Sequence, residues 1–190
     1  MREPGMNAPA YHVALVGLPG AGKSTVGRLT ARQLGVPFVD FDVELVARTG
    51  LSVADQFAIL GEAAFRAAEA DLARELATAP PAVLAPGGGW MTNSAARTAL
   101  DASTCTVYLR VSPPVAAARL AADPTVRPLV AGTDPAGALA ALLARRTATY
   151  DTAHTTIDTD ARSADAVAAE VVAAVRAWQR RPARPTEVAA

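Results

Sequence analysis

The sequence predicts a single α/β domain with three α/β/α layers around a mostly parallel five-stranded sheet, carrying a mobile lid. Three observations predict it. Short β-branched and apolar runs alternate with longer stretches of helical period, which is the order of a parallel sheet covered on both faces. The first such run leads straight into a glycine-rich stretch and then a helix. The chain has 190 residues, 51% of them hydrophobic, enough for a core without metal or disulfide support.

The elements follow in order. "YHVALVG" reads as a strand, and "KSTVGRLTARQLG" as a helix with Val26, Leu29 and Leu34 on one face until Gly35 stops it. "VPFVDFD" is the second strand, and two helical stretches run on to about Ala79. After a Pro-Pro break, "PAVLAPGGG" is the third strand; "TCTVYLRV" is the fourth and opens a helix capped by Ser112 and started by Pro113. "ADPTVRPLVAGTDPAG" has no period and reads as a surface loop, a lid at about 123–134. A helix to about Tyr150, the strand "TTIDTD" and a helix from Ser163 to about Gln179 complete a domain spanning 11–179. Residues 1–10 and 180–190 read as disordered ends, and no internal repeat is present.

Composition excludes several function classes. The formal charge is zero and the pI about 6.7, so no electrostatic footprint for nucleic acid or an anionic membrane exists. No stretch is apolar enough to cross a membrane, and the N-terminus lacks an apolar leader core, which points to the cytoplasm. A lone Cys105 excludes an internal disulfide and reads as core filler; His12 and His154 lack metal-ligand spacing. The expected partner is a small molecule.

Chemistry concentrates at "GLPGAGKST", which holds the chain's one lysine against 17 arginines. Gly17, Gly22, Lys23 and Ser24 satisfy G-x-x-x-x-G-K-[ST] between a strand and a helix, the context that confirms a phosphate-binding loop. Gly17, Gly20, Ala21 and Gly22 let backbone N–H groups wrap a triphosphate at a helix N-terminus. Lys23 bridges β- and γ-phosphates with a compact ammonium that a planar guanidinium does not replace, and Ser24 offers its hydroxyl to Mg²⁺. Thr25 packs or caps the helix start. A guanine-reading N-K-x-D is impossible with one lysine, which sets regulatory GTPases aside.

Asp40 and Asp42 close the second strand on one side, with Phe41 on the other, at the sheet end where ligands bind. One carboxylate can hold Mg²⁺ water and the other a reacting hydroxyl, unless one simply caps the next helix. Glu62, Arg66 and Glu69 share a helix face opposite Leu72 and Leu76, which fits either a ligand-binding arginine or an exposed ion-pair cluster. Gly87, Gly88 and Gly89 admit a ligand against backbone or form a plain turn. Arg127, in the lid, delivers positive charge on closure or is a solvated loop residue.

These motifs, "GLPGAGKST", "DFD", "GEAAFRAAE", "PGGGW", "RPLV" and Arg146 to Tyr150, stand in the order and near the spacing of the shikimate kinases, which the chain resembles from about Tyr11 to Asp160. The resemblance implies ATP-dependent phosphorylation of the 3-hydroxyl of shikimate, a step of chorismate and aromatic amino-acid biosynthesis, with Mg²⁺, by a monomer. By the same resemblance Asp42 binds shikimate hydroxyls and orients the attacking one, and Asp40 stands behind Mg²⁺. Arg66 and Arg146 hold the shikimate carboxylate, Gly87 to Gly89 line its ring, and Arg127 reaches the transferring phosphate. Arg119 stacks on adenine as a nearby family arginine does, one residue out of register. The chain departs from the family pattern at Phe41, at Val46 in place of a glutamate, and at Trp90 in place of a small residue. Two rival readings are a kinase of another hydroxylated molecule, such as gluconate or a cyclitol, and a non-catalytic ATP-binding regulator.

Overall fold

The computed structural model describes residues 9–100, 104–122 and 134–180. Five strands form one sheet in the order β2-β3-β1-β4-β5: β1 (His12–Val16), β2 (Phe38–Asp40), β3 (Val83–Ala85), β4 (Thr104–Arg110) and β5 (Thr155–Asp158). Every pairing is parallel, so the sheet is wholly rather than mostly parallel. β1 lies in the middle, between β3 and β4, and all five of its residues are buried. An unbroken apolar run such as Val13 to Val16 is what a strand covered on both faces requires.

Helices flank the sheet: α1 (Lys23–Leu34), α2 (Phe41–Thr49), the single turn α3 (Val53–Asp55), α4 (Glu62–Ala77), α5 (Ser94–Leu100), α6 (Pro113–Ala121), α7 (Pro135–Tyr150) and α8 (Ala164–Gln179). α1 packs on α8, α4 on α5, and α6 on α7. Buried Leu15, Leu84 and Leu109 from the strands meet Leu34, Leu72, Leu139 and Val171 from the helices in one core. Cys105 is part of it.

Several elements differ from the sequence expectation. β2 ends at Asp40 and α2 begins at Phe41, so Asp40 and Asp42 do not share one side of a strand. Phe41 at the helix start turns fully into the core, which leaves Asp42 partly exposed on the first turn. α5 has no apolar period in its seven residues, "SAARTAL", and forms because Asn93 caps it and α4 covers it. Ser112 stands at the N-terminus of α6, yet its side chain makes no cap bond; its backbone N–H donates to Asp160 (3.1 Å to Oδ1, 3.3 Å to Oδ2) instead. The lid, about 123–134, lies outside the described residues except for Asp134, which caps α7 through Gly137 N–H.

Both histidines work as backbone partners. His12 Nδ1 accepts from Ala82 N–H at 3.1 Å, so the ring proton is on Nε2, which donates to the Leu76 carbonyl at 2.8 Å. That ties β1 to the end of α4 and the start of β3. His154 Nδ1 accepts from Thr106 N–H, and its ring meets Trp178, which also packs edge-on against Tyr11. We expect His12→Ala to leave the buried Ala82 N–H without its partner, the Leu76 carbonyl keeping its bond from Ala79 N–H, and to lower unfolding free energy by about 2 kcal/mol. Urea denaturation measures this, and substrate KM values stay as in the wild type because the site is at the opposite end of the strands.

Candidate active site

At the carboxyl end of β1 the chain turns into the phosphate loop. Gly17 has φ +146°, and a Cβ there would lie 2.5 Å from the Leu109 carbonyl oxygen, so no other residue fits. Gly22 is the left-handed residue from which α1 starts, and its end carries no acidic side chain to compete for the free N–H groups. Lys23 folds back over its own loop, donating to the carbonyls of Gly17 (3.0 Å) and Leu18 (3.1 Å). Ser24 Oγ donates to Asp40 Oδ2 at 2.6 Å. That hydroxyl and carboxylate are an oxygen-only pair beside the phosphate loop, the donor chemistry Mg²⁺ takes alongside phosphate and water. Thr25 neither caps nor packs: it is exposed.

Thr25 lines a cavity of about 210 Å³ with Gly22, Val26, Arg119, Thr159 and Arg162. Arg119 is fixed across it. Its Nη2 donates to the Thr159 carbonyl (2.6 Å), and Nη1 to Thr159 Oγ1 (3.1 Å) and the Gly20 carbonyl (3.4 Å). Arg162 pairs with Glu170 at 2.6 Å. Held by its edge, a guanidinium presents its flat face, which suits a purine. Sequence reading did not find Thr159 or Arg162, whose only signal is proximity after folding.

The other end of the site is built on Gly87 to Gly89, between β3 and the 3₁₀ turn Trp90–Thr92. A Cβ on Gly87 would stand 3.1 Å from both Asp42 Oδ1 and Glu69 Oε1; one on Gly89 would fall 2.5 Å from Arg66 Nη2 and 2.7 Å from Nη1. Arg146 Nη1 donates to the Gly88 carbonyl at 2.5 Å, and Tyr150 Oη to the same oxygen at 3.3 Å. α2, α4 and α7 thus bring Asp42, Arg66 and Arg146 to one glycine turn. Arg127 lies outside the described residues.

The Arg66 cluster is not the exposed ion-pair set that i,i+4 spacing allows. Arg66 Nη1 donates to Glu69 Oε2 at 2.7 Å, and the Glu69 side chain is fully buried; Glu62, on the outer side, is exposed. Burial pushes the Glu69 carboxyl above the ordinary carboxylate range, opposed by the bonds from Arg66 and Asn93 and reinforced by the nearby Asp42 charge. Burial also works against the Arg66 charge, but the bonds to Glu69 and Glu62 outweigh it and hold Arg66 above its ordinary value. Phe41 and Trp90 are core residues, 0% and 3% exposed, and Glu44, displaced by Val46 from the family position, pairs with Arg48 on the surface.

A triphosphate loop facing a carboxylate and two arginines across a glycine turn defines a P-loop kinase of a small molecule. The family model for shikimate kinase matches residues 19–176. A shikimate kinase of Moorella thermoacetica is 42% identical over 167 residues, 88% of this chain and 95% of the relative. One of Mycobacterium tuberculosis is 43% identical over 164 residues, 86% of this chain and 92% of the relative. The solved shikimate kinase of Acinetobacter baumannii in complex with shikimate superimposes with a TM-score of 0.83 at 34% identity, covering 92% of this chain and 96% of that one. The chain belongs to the shikimate kinase family. No helix among the described residues is long and apolar enough to cross a membrane.

Two expectations test this geometry. Gly89→Ala drives the Arg66 guanidinium off the turn, so shikimate KM rises on the order of tenfold while ATP KM hardly moves, read by ADP release with each substrate varied. The second concerns pH. Native Glu69 keeps its proton to higher pH than the unfolded chain does, so its contribution to stability is full below the ordinary carboxylate range. That contribution is lost as pH rises through the raised native value. Glu69→Gln cannot ionise, and Tm measured across that window falls less steeply in the variant than in the wild type.

Proposed function

We propose that the protein transfers the γ-phosphoryl group of ATP to the 3-hydroxyl of shikimate, with Arg66 and Arg146 as the fork for the acceptor carboxylate. The observation that carries this reading is the convergence of both guanidinium groups and the Asp42 carboxylate on Gly87 to Gly89. A planar guanidinium takes a carboxylate through two parallel charge-assisted bonds, and the bare glycine backbone gives the ring room to approach. A neutral cyclitol leaves both arginines without that ligand, which disfavours such an acceptor, whereas gluconate carries a carboxylate of its own and is separated from shikimate by the acceptor comparison below.

Asp42 accepts the hydrogen bond of the attacking hydroxyl, aims its oxygen at the γ-phosphorus and takes up its proton as the new bond forms, releasing it later to water. The new O–P bond forms as the β–γ bridge bond breaks, giving ADP and shikimate 3-phosphate. Lys23 leaves the Gly17 and Leu18 carbonyls for the β- and γ-phosphate oxygens, exchanging neutral acceptors for anionic ones. Ser24, with Asp40 behind it, would hold Mg²⁺, which would supply charge neutralisation for the transfer. Arg127 adds positive charge from the lid, and the edge-held Arg119 offers its face to adenine. Gly17, Gly20, Ala21, Gly22 and Thr25 complete the nucleotide pocket. A monomer acting in the cytoplasm on these two small molecules, without nucleic acid, suffices for the reaction.

The test is ADP release from Mg-ATP with shikimate, with gluconate and with no acceptor. Release depends on shikimate, is lost in Lys23→Ala and on chelation of Mg²⁺, and persists in Arg66→Ala and Arg146→Ala only with shikimate KM raised at least about tenfold. Unchanged KM in both arginine variants overturns the carboxylate fork, and ATP binding without acceptor-dependent release favours the regulator.

A further inference from the structure

Asn93 joins the Trp90–Thr92 turn to α5 and uses every polar atom it has. Its backbone N–H donates to the Trp90 carbonyl, its carbonyl accepts from Arg97 N–H, and Oδ1 accepts from Ala96 N–H at 3.3 Å. The amide nitrogen points the other way, donating to the Arg66 carbonyl at 2.9 Å and to Glu69 Oε2 at 3.4 Å. This orientation is forced, because the reverse sets oxygen against two acceptors. One side chain therefore caps α5 and grips two successive turns of α4.

Glu69 Oε2 is shared between the Asn93 amide and Arg66 Nη1, while Oε1 is buried without a hydrogen-bond partner and faces Gly87. The Glu69 rotamer is consequently set from the Oε2 side. Arg66 spends Nε and one Nη2 hydrogen on Glu62 and one Nη1 hydrogen on Glu69. One hydrogen remains on each terminal nitrogen, and both nitrogens lie over Gly89. Hydrogens on both terminal nitrogens are what a carboxylate needs for two charge-assisted bonds.

We propose that Asn93 is a positioning residue for the acceptor: it fixes Glu69, which fixes the terminal nitrogens of Arg66 over the glycine turn. This rests on the reading that Arg66 binds the shikimate carboxylate. A residue that merely capped α5 would show the same Oδ1 bond and no dependence of the clamp on its amide.

Asn93→Asp separates the two roles, since aspartate caps a helix as well as asparagine and has nearly its shape, but lacks the amide donor and faces Glu69 with a like charge. In the full-length enzyme, shikimate KM rises about tenfold, kcat and ATP KM stay within about twofold, and Tm changes little. In a Glu69→Gln background the same substitution raises KM by a smaller factor, because the residue it acts through has lost its charge. Asn93→Gly, which keeps most of the cap and removes the amide, shows the same split and serves if the aspartate variant does not fold. Unchanged shikimate KM in a folded variant, or an equal rise in both backgrounds, overturns the proposal and leaves Asn93 a cap. If the wild type releases no ADP with shikimate, the functional reading fails and the clamp has no carboxylate to hold. Wild-type turnover with unaltered variant KM fails the Asn93 role alone.

Discussion

The site depends on close backbone approaches, at the phosphate loop and at the acceptor turn, that leave no room for a side chain. At Gly17 the obstacle is the Leu109 carbonyl, which brings the end of β1 against the end of β4 and starts the loop that leads back to Lys23. At Gly89 it is the Arg66 guanidinium, whose terminal nitrogens lie where a Cβ would be. The first contact is backbone on backbone and cannot yield; the second involves the end of a flexible side chain and is the adjustable one. Fixed geometry at the phosphate loop and adjustable geometry at the acceptor turn suit a molecule that treats its nucleotide as a constant and discriminates by its second ligand.

Charge at the acceptor turn is arranged so that no ion stands alone. A fully buried carboxylate at Glu69 is costly by itself, and Arg66 and Asn93 offset that cost through its Oε2 oxygen. Arg66 in turn carries Glu62 on its solvent side, where the pair contributes little to stability but occupies the side edge of the fork. What is left is directional: a terminal edge aimed at the turn. Arg146 reaches the same turn from α7 and bonds the Gly88 carbonyl, so the two cations approach from different helices with the glycines between them.

The phosphate loop was legible in the sequence because its chemistry is local: Lys23, Ser24 and their glycines are neighbours in the chain and keep their relation in the fold. The five strands were legible for the same reason, as short β-branched and apolar runs. Strand alternation failed at Asp40 and Asp42, since it presumes that a strand continues, whereas burying Phe41 starts a helix there. α5 was missed because an alanine-rich segment of seven residues has no period to read, and its cap, Asn93, identifies itself only through contacts with α4. The spacing of Glu62, Arg66 and Glu69 gave their shared face correctly, but not that one carboxylate would be buried and the other exposed. Depth is a property of the packing that surrounds a helix, and no pattern within the helix encodes it.

The donor and acceptor halves meet at Gly88. Its Cα faces the phosphate loop closely enough that a Cβ would lie 3.7 Å from Pro19 Cδ and 3.9 Å from the Gly17 carbonyl, while Arg146 Nη1 stands 3.1 Å away. β3 and β1 are hydrogen-bonded neighbours, so the loops leaving their carboxyl ends emerge side by side as a consequence of strand order. In the proposed reaction, sheet topology sets the separation between a triphosphate on one loop and an acceptor on the other, before any side chain contributes. The side chains then decide orientation: Lys23 and Ser24 on the phosphate loop, Asp42 beside Gly87, and the two arginines at Gly88 and Gly89. An in-line transfer requires both, proximity from the backbone and aim from the charges.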